Sequence, residues 1–112
     1  MSDCIFCNII AGEIPSQKVY EDDEVFVFHD IHPFARIHFL IVPKHHIASL
    51  ADCGPEHEKI LGKMLALASH LAKAKGLEAG FKTLINTGRG GGQEVFHIHI
   101  HVFGGGDPVA RQ

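Results

Sequence analysis

Apolar and polar positions alternate along this chain with two different periods, and the switches between them mark out its elements. Within residues 1–11, Ile5, Phe6, Ile9 and Ile10 recur at helical spacing. This predicts a short helix, with Asp3 or Ser2 as its cap and Gly12 as its end. Glu13-Ile14-Pro15-Ser16 breaks the pattern. Residues 18–21 and 24–29 then read as two strands joined across an Asp22-Asp23 turn. Residues 38–42, His-Phe-Leu-Ile-Val, are almost wholly apolar, the pattern of a central strand covered on both faces. From Pro55 to Gly76 the helical period returns, with Ile60, Leu61, Met64, Leu65, Ala68, Leu71 and Ala72 as the apolar face. Glu56 and Glu58 suit its positive end, and Lys73 and Lys75 its negative end. Residues 81–86 and 95–103 complete the set as a fourth and a fifth strand. This order predicts an α+β fold: an antiparallel sheet of about five strands with one long and one short helix, forming a single domain over residues 1–112.

The fifth strand changes the question from fold to chemistry. In Phe96-His97-Ile98-His99-Ile100-His101-Val102-Phe103, side chains alternate across the strand. Phe96, Ile98, Ile100 and Val102 therefore share one face, predicted to be core. His97, His99 and His101 share the other, about 7 Å apart. Ordinary solvent-facing strand positions explain polarity there, but not three imidazoles in a row. Zinc ligation and catalysis as nucleophile or proton carrier both fit. Just before this strand, glycines at 88, 90, 91 and 92 make a loop whose backbone N–H groups can approach an anion closely. Gly104-Gly105-Gly106 follows it. Together these features point to a phosphorylated substrate.

Composition narrows the class. Ten of 112 residues are histidine, as many as lysine and arginine together. The formal net charge of −3 argues against a nucleic-acid backbone binder, and no apolar run is long enough for a membrane span. The first residues do not read as a secretory signal. Three cysteines are too few, and odd in number, for a disulfide scaffold, so a reducing cytoplasm is expected. Cys4 and Cys7 have chelating spacing. Cys53 reads as a plain thiol.

His-Ile-His-Ile-His-Val-Phe resembles the His-x-His-x-His-x-x signature of the histidine triad (HIT) family, where x is apolar. The likeness extends to CIFCNIIAGEIPSQKVYEDDEVFVFHDI, HFLIVPKHHI and INTGRGGGQEVFHIHIHVFGG, nearly the whole chain. It is similar to the Hint branch, and most to bacterial zinc-bearing members. The resemblance implies a hydrolase or transferase acting at the α-phosphorus of purine nucleoside phosphoramidates or related nucleotidyl compounds. His99 would be the nucleophile, forming a nucleotidyl-histidine intermediate, with its second ring nitrogen held by a carbonyl of the glycine-rich loop. His101 would contact the phosphate oxygens, aided by Asn86 and the backbone of Gly91, Gly92, Gln93, Glu94 and Val95. Asp30 would bind the ribose hydroxyls. Phe6, Ile9, Phe28, Ile31 and Leu40 would hold the base.

The resemblance also implies a structural zinc on Cys4, Cys7, His46 and His97, and a homodimer whose sheet continues across the long helix and fourth strand. His45 would point away from the metal. His29, His32, His57 and His70 are expected on surfaces, and His38 near the base pocket without an assigned role. The chain departs from the branch at Glu94, where serine is common; a carboxylate there repels a phosphate unless protonated or turned outward. A dinucleoside polyphosphate hydrolase and a nucleotide-binding regulator with little turnover are the alternatives. The former typically lacks the CxxC pair.

Overall fold

Five antiparallel strands, β1 (Lys18–Glu21), β2 (Val25–His29), β3 (Ile37–Pro43), β4 (Lys82–Leu84) and β5 (Ile100–Gly104), form one sheet in the order β1-β2-β3-β5-β4. The computed structural model describes residues 2–105 of the chain; Gly106 lies outside them. β1 and β2 are joined by the expected turn. Asp22 Oδ1 accepts the N–H groups of Glu24 and Val25, so its carboxylate does the work of a backbone acceptor in the tight bend.

The helices α1 (Ile5–Ile10) and α2 (Glu58–Ala74) cover opposite faces of the sheet. Against α2, Val25, Val27, Phe39, Ile41, Ile100 and Val102 pack with Met64, Ala68, Leu71 and Ala72. Against α1, Phe26, Phe28, Leu40 and Val42 pack with Phe6 and Ile9. The near-continuous apolar run of β3 follows from this double covering, with odd positions facing α2 and even positions facing α1.

Several boundaries and caps differ from the sequence expectation. α1 is capped by neither Ser2 nor Asp3 but by Cys4, whose Sγ accepts the N–H of Cys7. Gly12 does follow the helix with φ +82°, a backbone state that favours glycine. The long helix starts in a 3-10 turn, Pro55–His57, in which His57 Nδ1 accepts the N–H of Gly54. On its predicted apolar face, Leu65 is 50% exposed.

β4 is shorter than residues 81–86, and β5 begins at Ile100 rather than residue 95. The ladder with β3 reaches only as far as Ile41 opposite Ile100. Beyond it, the Ile98 N–H donates to the carbonyl of Ile47, in the segment after β3. Phe96 consequently has no strand beside it and is 44% exposed, not core. The alternation nevertheless persists through residues 97–102: Ile98, Ile100 and Val102 are buried, and the three histidines turn toward α1.

The two sheet edges differ. β1 carries a register irregularity between Lys18 and Tyr20, whereas β4 is regular and all three of its residues are exposed.

Candidate functional site

On the α1 face the apolar packing of β2 and β3 gives way to imidazoles where β5 begins. A cavity of about 430 Å³ opens here, within the usual range for a small-molecule site. Twelve of the residues singled out by sequence line it: Phe6, Ile9, Phe28, Asp30, Ile31, Leu40, Asn86, Gly92, Glu94, Val95, His99 and His101. Phe6, Phe28 and Leu40 form a buried apolar wall, and Ile31, 84% exposed, sits at the rim. Asp30 is at the mouth; its Oδ1 accepts the His32 N–H at 2.8 Å and its Oδ2 lies 3.5 Å from His38 Nε2.

Gln93 does not line the cavity. It is buried, and its side chain ties the glycine-rich loop together. Its Oε1 accepts the Gly88 N–H, and its amide donates to the carbonyls of Ala48 and Val95. The loop also consumes much of its own backbone. The N–H groups of Gly91 and Gln93 go to Gly88 O, and that of Gly92 to Arg89 O. Among the described residues, the N–H groups of Glu94 and Val95 and the Asn86 side chain have no such partner. Asn86, Glu94 and Val95 also line the cavity, whereas Arg89, Gly90 and Gly91 do not, so the donors this loop offers to the cavity lie at its ends.

His99 is buried and its Nδ1 donates to the carbonyl of His97 at 2.7 Å. The acceptor is thus in the histidine segment itself and not in the glycine-rich loop. This bond puts the proton on Nδ1 and leaves the Nε2 lone pair free. Burial lowers the His99 pKa, while the His97 carbonyl and the charge of Asp30 oppose the shift. The edge of Phe6 packs on the ring, 5.0 Å between centroids at 85°. A neutral imidazole with one anchored and one free nitrogen is a competent nucleophile.

His101 Nδ1 lies 2.9 Å from His38 Nε2, and the Phe34 N–H donates to His38 Nδ1 at 3.0 Å. Burial pushes the His101 pKa down to about 4, aided by the neighbouring His99 and His38 and opposed by Asp30. His38 itself is 2% exposed and its pKa is lowered, chiefly by burial. It sits behind His101 rather than in the apolar pocket. The signal was parity: His38 shares the face of Leu40 and Val42, and Leu40 pairs with His101 across the ladder.

A second cluster lies at the other end of the histidine row. Cys4, Cys7, His46 and His97 converge, with sulfur and Nδ1 atoms 3.1 to 3.6 Å apart across the pairs Cys4–His97, Cys7–His46, Cys7–His97 and His46–His97. Those separations are the edges of a tetrahedron with the ligand distances of zinc, about 2.0 Å to nitrogen and about 2.3 Å to sulfur. His97 Nε2 donates to the Pro43 carbonyl at 2.8 Å, which leaves its Nδ1 lone pair aimed into the cluster. The donor set and its tautomer fit a metal.

Of the other histidines, His32, His45 and His70 are exposed, as expected. His29 is half-buried and meets Lys75 Nζ at 3.1 Å, and half-buried His57 serves the helix start described above.

The HIT domain model matches residues 11–107. The chain belongs to the HIT family. Protein HitA of Neisseria gonorrhoeae is 60% identical over 104 residues, 93% of this chain and 97% of that protein. The purine nucleoside phosphoramidase of Escherichia coli K12 is 47% identical over 104 residues, 92% and 87% of the two chains. Among solved structures, a HIT family hydrolase from Legionella pneumophila superposes with a TM-score of 0.91 at 45% identity, covering 94% of this chain and 95% of that one. A zinc-bound histidine triad family protein from Mycobacterium smegmatis superposes at 0.79 with 39% identity, over 89% and 73%. No helix among the described residues is long and apolar enough to cross a membrane.

Proposed function

We propose that this HIT protein is a hydrolase of purine nucleoside phosphoramidates and related nucleotidyl compounds, working through a nucleotidyl group carried on His99. The observation that carries this reading is the state of His99: buried, neutral, anchored through Nδ1, and presenting a free Nε2 to a cavity walled by apolar side chains. Its similarity to the phosphoramidase from Escherichia coli supports the substrate class.

The His99 Nε2 lone pair attacks the α-phosphorus. The P–N bond breaks with its electron pair on the amine, which takes up a proton from solvent as it leaves; the water that later attacks the phosphorus gives one back. Water then adds to the phosphorus, His99 departs, and nucleoside monophosphate is released. As positive charge develops on the imidazole, the His97 carbonyl stabilises it. His101, Asn86 and the N–H groups of Glu94 and Val95 receive the phosphate oxygens. Asp30 takes the ribose hydroxyls, and the base lies against Phe6, Ile9, Phe28 and Leu40, with Ile31 at the mouth. Gly92 lines the cavity beside them, and Gln93 holds the loop in shape. Glu94 brings negative charge to the phosphate side, which favours amine leaving groups over phosphate ones, and so disfavours dinucleoside polyphosphates.

Cys4, Cys7, His46 and His97 would hold a structural zinc, which contributes cross-linking rather than reactivity because all four positions are protein ligands. It would tether α1 to the segment whose carbonyl holds His99. The exposed residues of β4, with Leu84, and the exposed Leu65 of α2 support a homodimer in which two sheets join.

Rapid acid quench of the protein with adenosine 5′-phosphoramidate, followed by intact mass analysis, tests the reading. One nucleotidyl group per chain is expected, absent in His99→Ala, with nucleotide binding retained. No adduct and no turnover across a panel of phosphoramidates and dinucleoside polyphosphates would sink it.

A further inference from the structure

Between β2 and β3, the loop of residues 30–36 carries Phe34, which is 60% exposed yet packs on two buried imidazoles. Its ring centroid lies 4.4 Å from that of His38 and 5.4 Å from that of His101, nearly parallel to the latter at 18°. The edge contact with Phe103, at 5.3 Å and 88°, fixes the tilt of the ring. Its backbone N–H is the donor to His38 Nδ1.

We propose that Phe34 is a positioning residue: it decides which ring nitrogen of His101 carries the proton, and so presents the cavity with an N–H donor instead of a lone pair. A backbone N–H is always a donor, so His38 Nδ1 accepts and the His38 proton sits on Nε2. That Nε2–H faces His101 Nδ1, which accepts in turn. The single proton of neutral His101 is left on Nε2, the nitrogen turned away from His38. Without the Phe34 N–H, His38 is free to hold its proton on Nδ1, and the direction of the whole series reverses.

The ring adds a second effect. Lying over one face of His101, it excludes water from the imidazole, which disfavours the charged form. The titratable groups that face His101 are His38 on β3, His99 on its own segment and Asp30 after β2. His29, His32 and Glu94 line the same cavity. Of these, only Asp30 and Glu94 favour a charged imidazole.

This inference rests on the proposed role of His101 at the phosphate, but its first test does not. In metal-loaded protein labelled with [15N]histidine, two-bond 1H–15N correlation spectra report each tautomer directly. At neutral pH, His38 and His101 are both expected as Nε2–H. Phe34→Pro removes the N–H; it should mix or reverse both tautomers and lower kcat/KM for a phosphoramidate about 10-fold, the worth of one good hydrogen bond. Phe34→Ala keeps the N–H and should keep the tautomers. It should raise the acid limb of the kcat/KM profile by about half a pH unit or more, and Phe34→Tyr should restore it.

His101 found as Nδ1–H in the native protein overturns the proposal, as do unchanged tautomers in Phe34→Pro. An unmoved acid limb in Phe34→Ala overturns the role of the ring. If Phe34→Pro fails to fold by circular dichroism, the native spectrum still decides. Native protein with the stated tautomers but no turnover refutes the hydrolase reading and leaves the tautomer assignment standing.

Discussion

The two faces of the sheet are built from the same strands and do different things. Toward α2, Val25, Val27, Phe39, Ile41, Ile100 and Val102 are all buried and all apolar. Toward α1, Phe26, Phe28, Leu40 and Val42 begin the same way, but the row ends in His38, His97, His99 and His101, each less than a tenth exposed. Burying an imidazole costs free energy unless it stays neutral and hydrogen-bonded. Every one of these four does have a partner, and burial lowers the pKa of each. One face supplies stability; the other uses some of it to hold reactive groups in fixed protonation states.

If that division is real, substitutions on the two faces should separate cleanly. The largest effect expected is on the histidine face. His99→Asn should lower phosphoramidate turnover by about 10⁴-fold or more, ~5 kcal/mol of barrier, while the urea midpoint barely moves. A large loss of stability with modest loss of turnover would make His99 a structural residue. On the other face, Phe39→Ala should cost about 3–5 kcal/mol in a denaturant titration, with turnover per folded molecule retained.

The pH dependence of folding sharpens the comparison next. His101 has an ordinary pKa of 6.5 when unfolded and about 4 when folded, so the unfolded chain binds the proton more readily. Its contribution is therefore complete above pH 6.5 and is lost as pH falls from there toward 4. The loss from this residue alone is about 3 kcal/mol, and His38 shifts in the same direction. Denaturant midpoints across that window should fall in the native protein and fall less in His101→Asn. The smallest effect belongs to neither face. Lys63 bridges Asp22 and Glu24 at 2.9 and 2.7 Å on a partly exposed surface, and Lys63→Ala should cost no more than about 1 kcal/mol. A larger loss would mean that this cluster organises the β1–β2 turn.

Periodicity made the elements, the double covering of β3 and the face of the three histidines legible in the sequence. It could not give boundaries set by tertiary contacts: β5 starts at Ile100 although β3 runs on to Pro43, because the Ile98 N–H turns to the Ile47 carbonyl, and Phe96 lies beyond that point, outside the core. Nor could it give pairings between distant residues. His38 and His101 are 63 positions apart, and only the sheet order brings them together. The structural role of the Gln93 side chain was not legible either, because a glycine-rich loop suggests donors for a ligand, whereas this side chain satisfies the loop itself. The metal cluster was legible through the likeness to zinc-bearing relatives, and the tautomer that suits His97 to it was not, since that depends on Pro43 O.

The unequal sheet edges bear on how far association can run. A regular strand with unpaired backbone groups can template another copy, and among the described residues β4 is such an edge strand. When the two copies meet through the same surface, the operation is a two-fold rotation, and each consumes the other's open edge. What then remains outward at both ends of the joined sheet is β1, whose register is broken beside Lys18. In the proposed homodimer, growth by strand addition would therefore stop at two copies. The irregularity near Lys18, which looks like a flaw in the ladder, would then be the stop that separates a closed pair from an open filament.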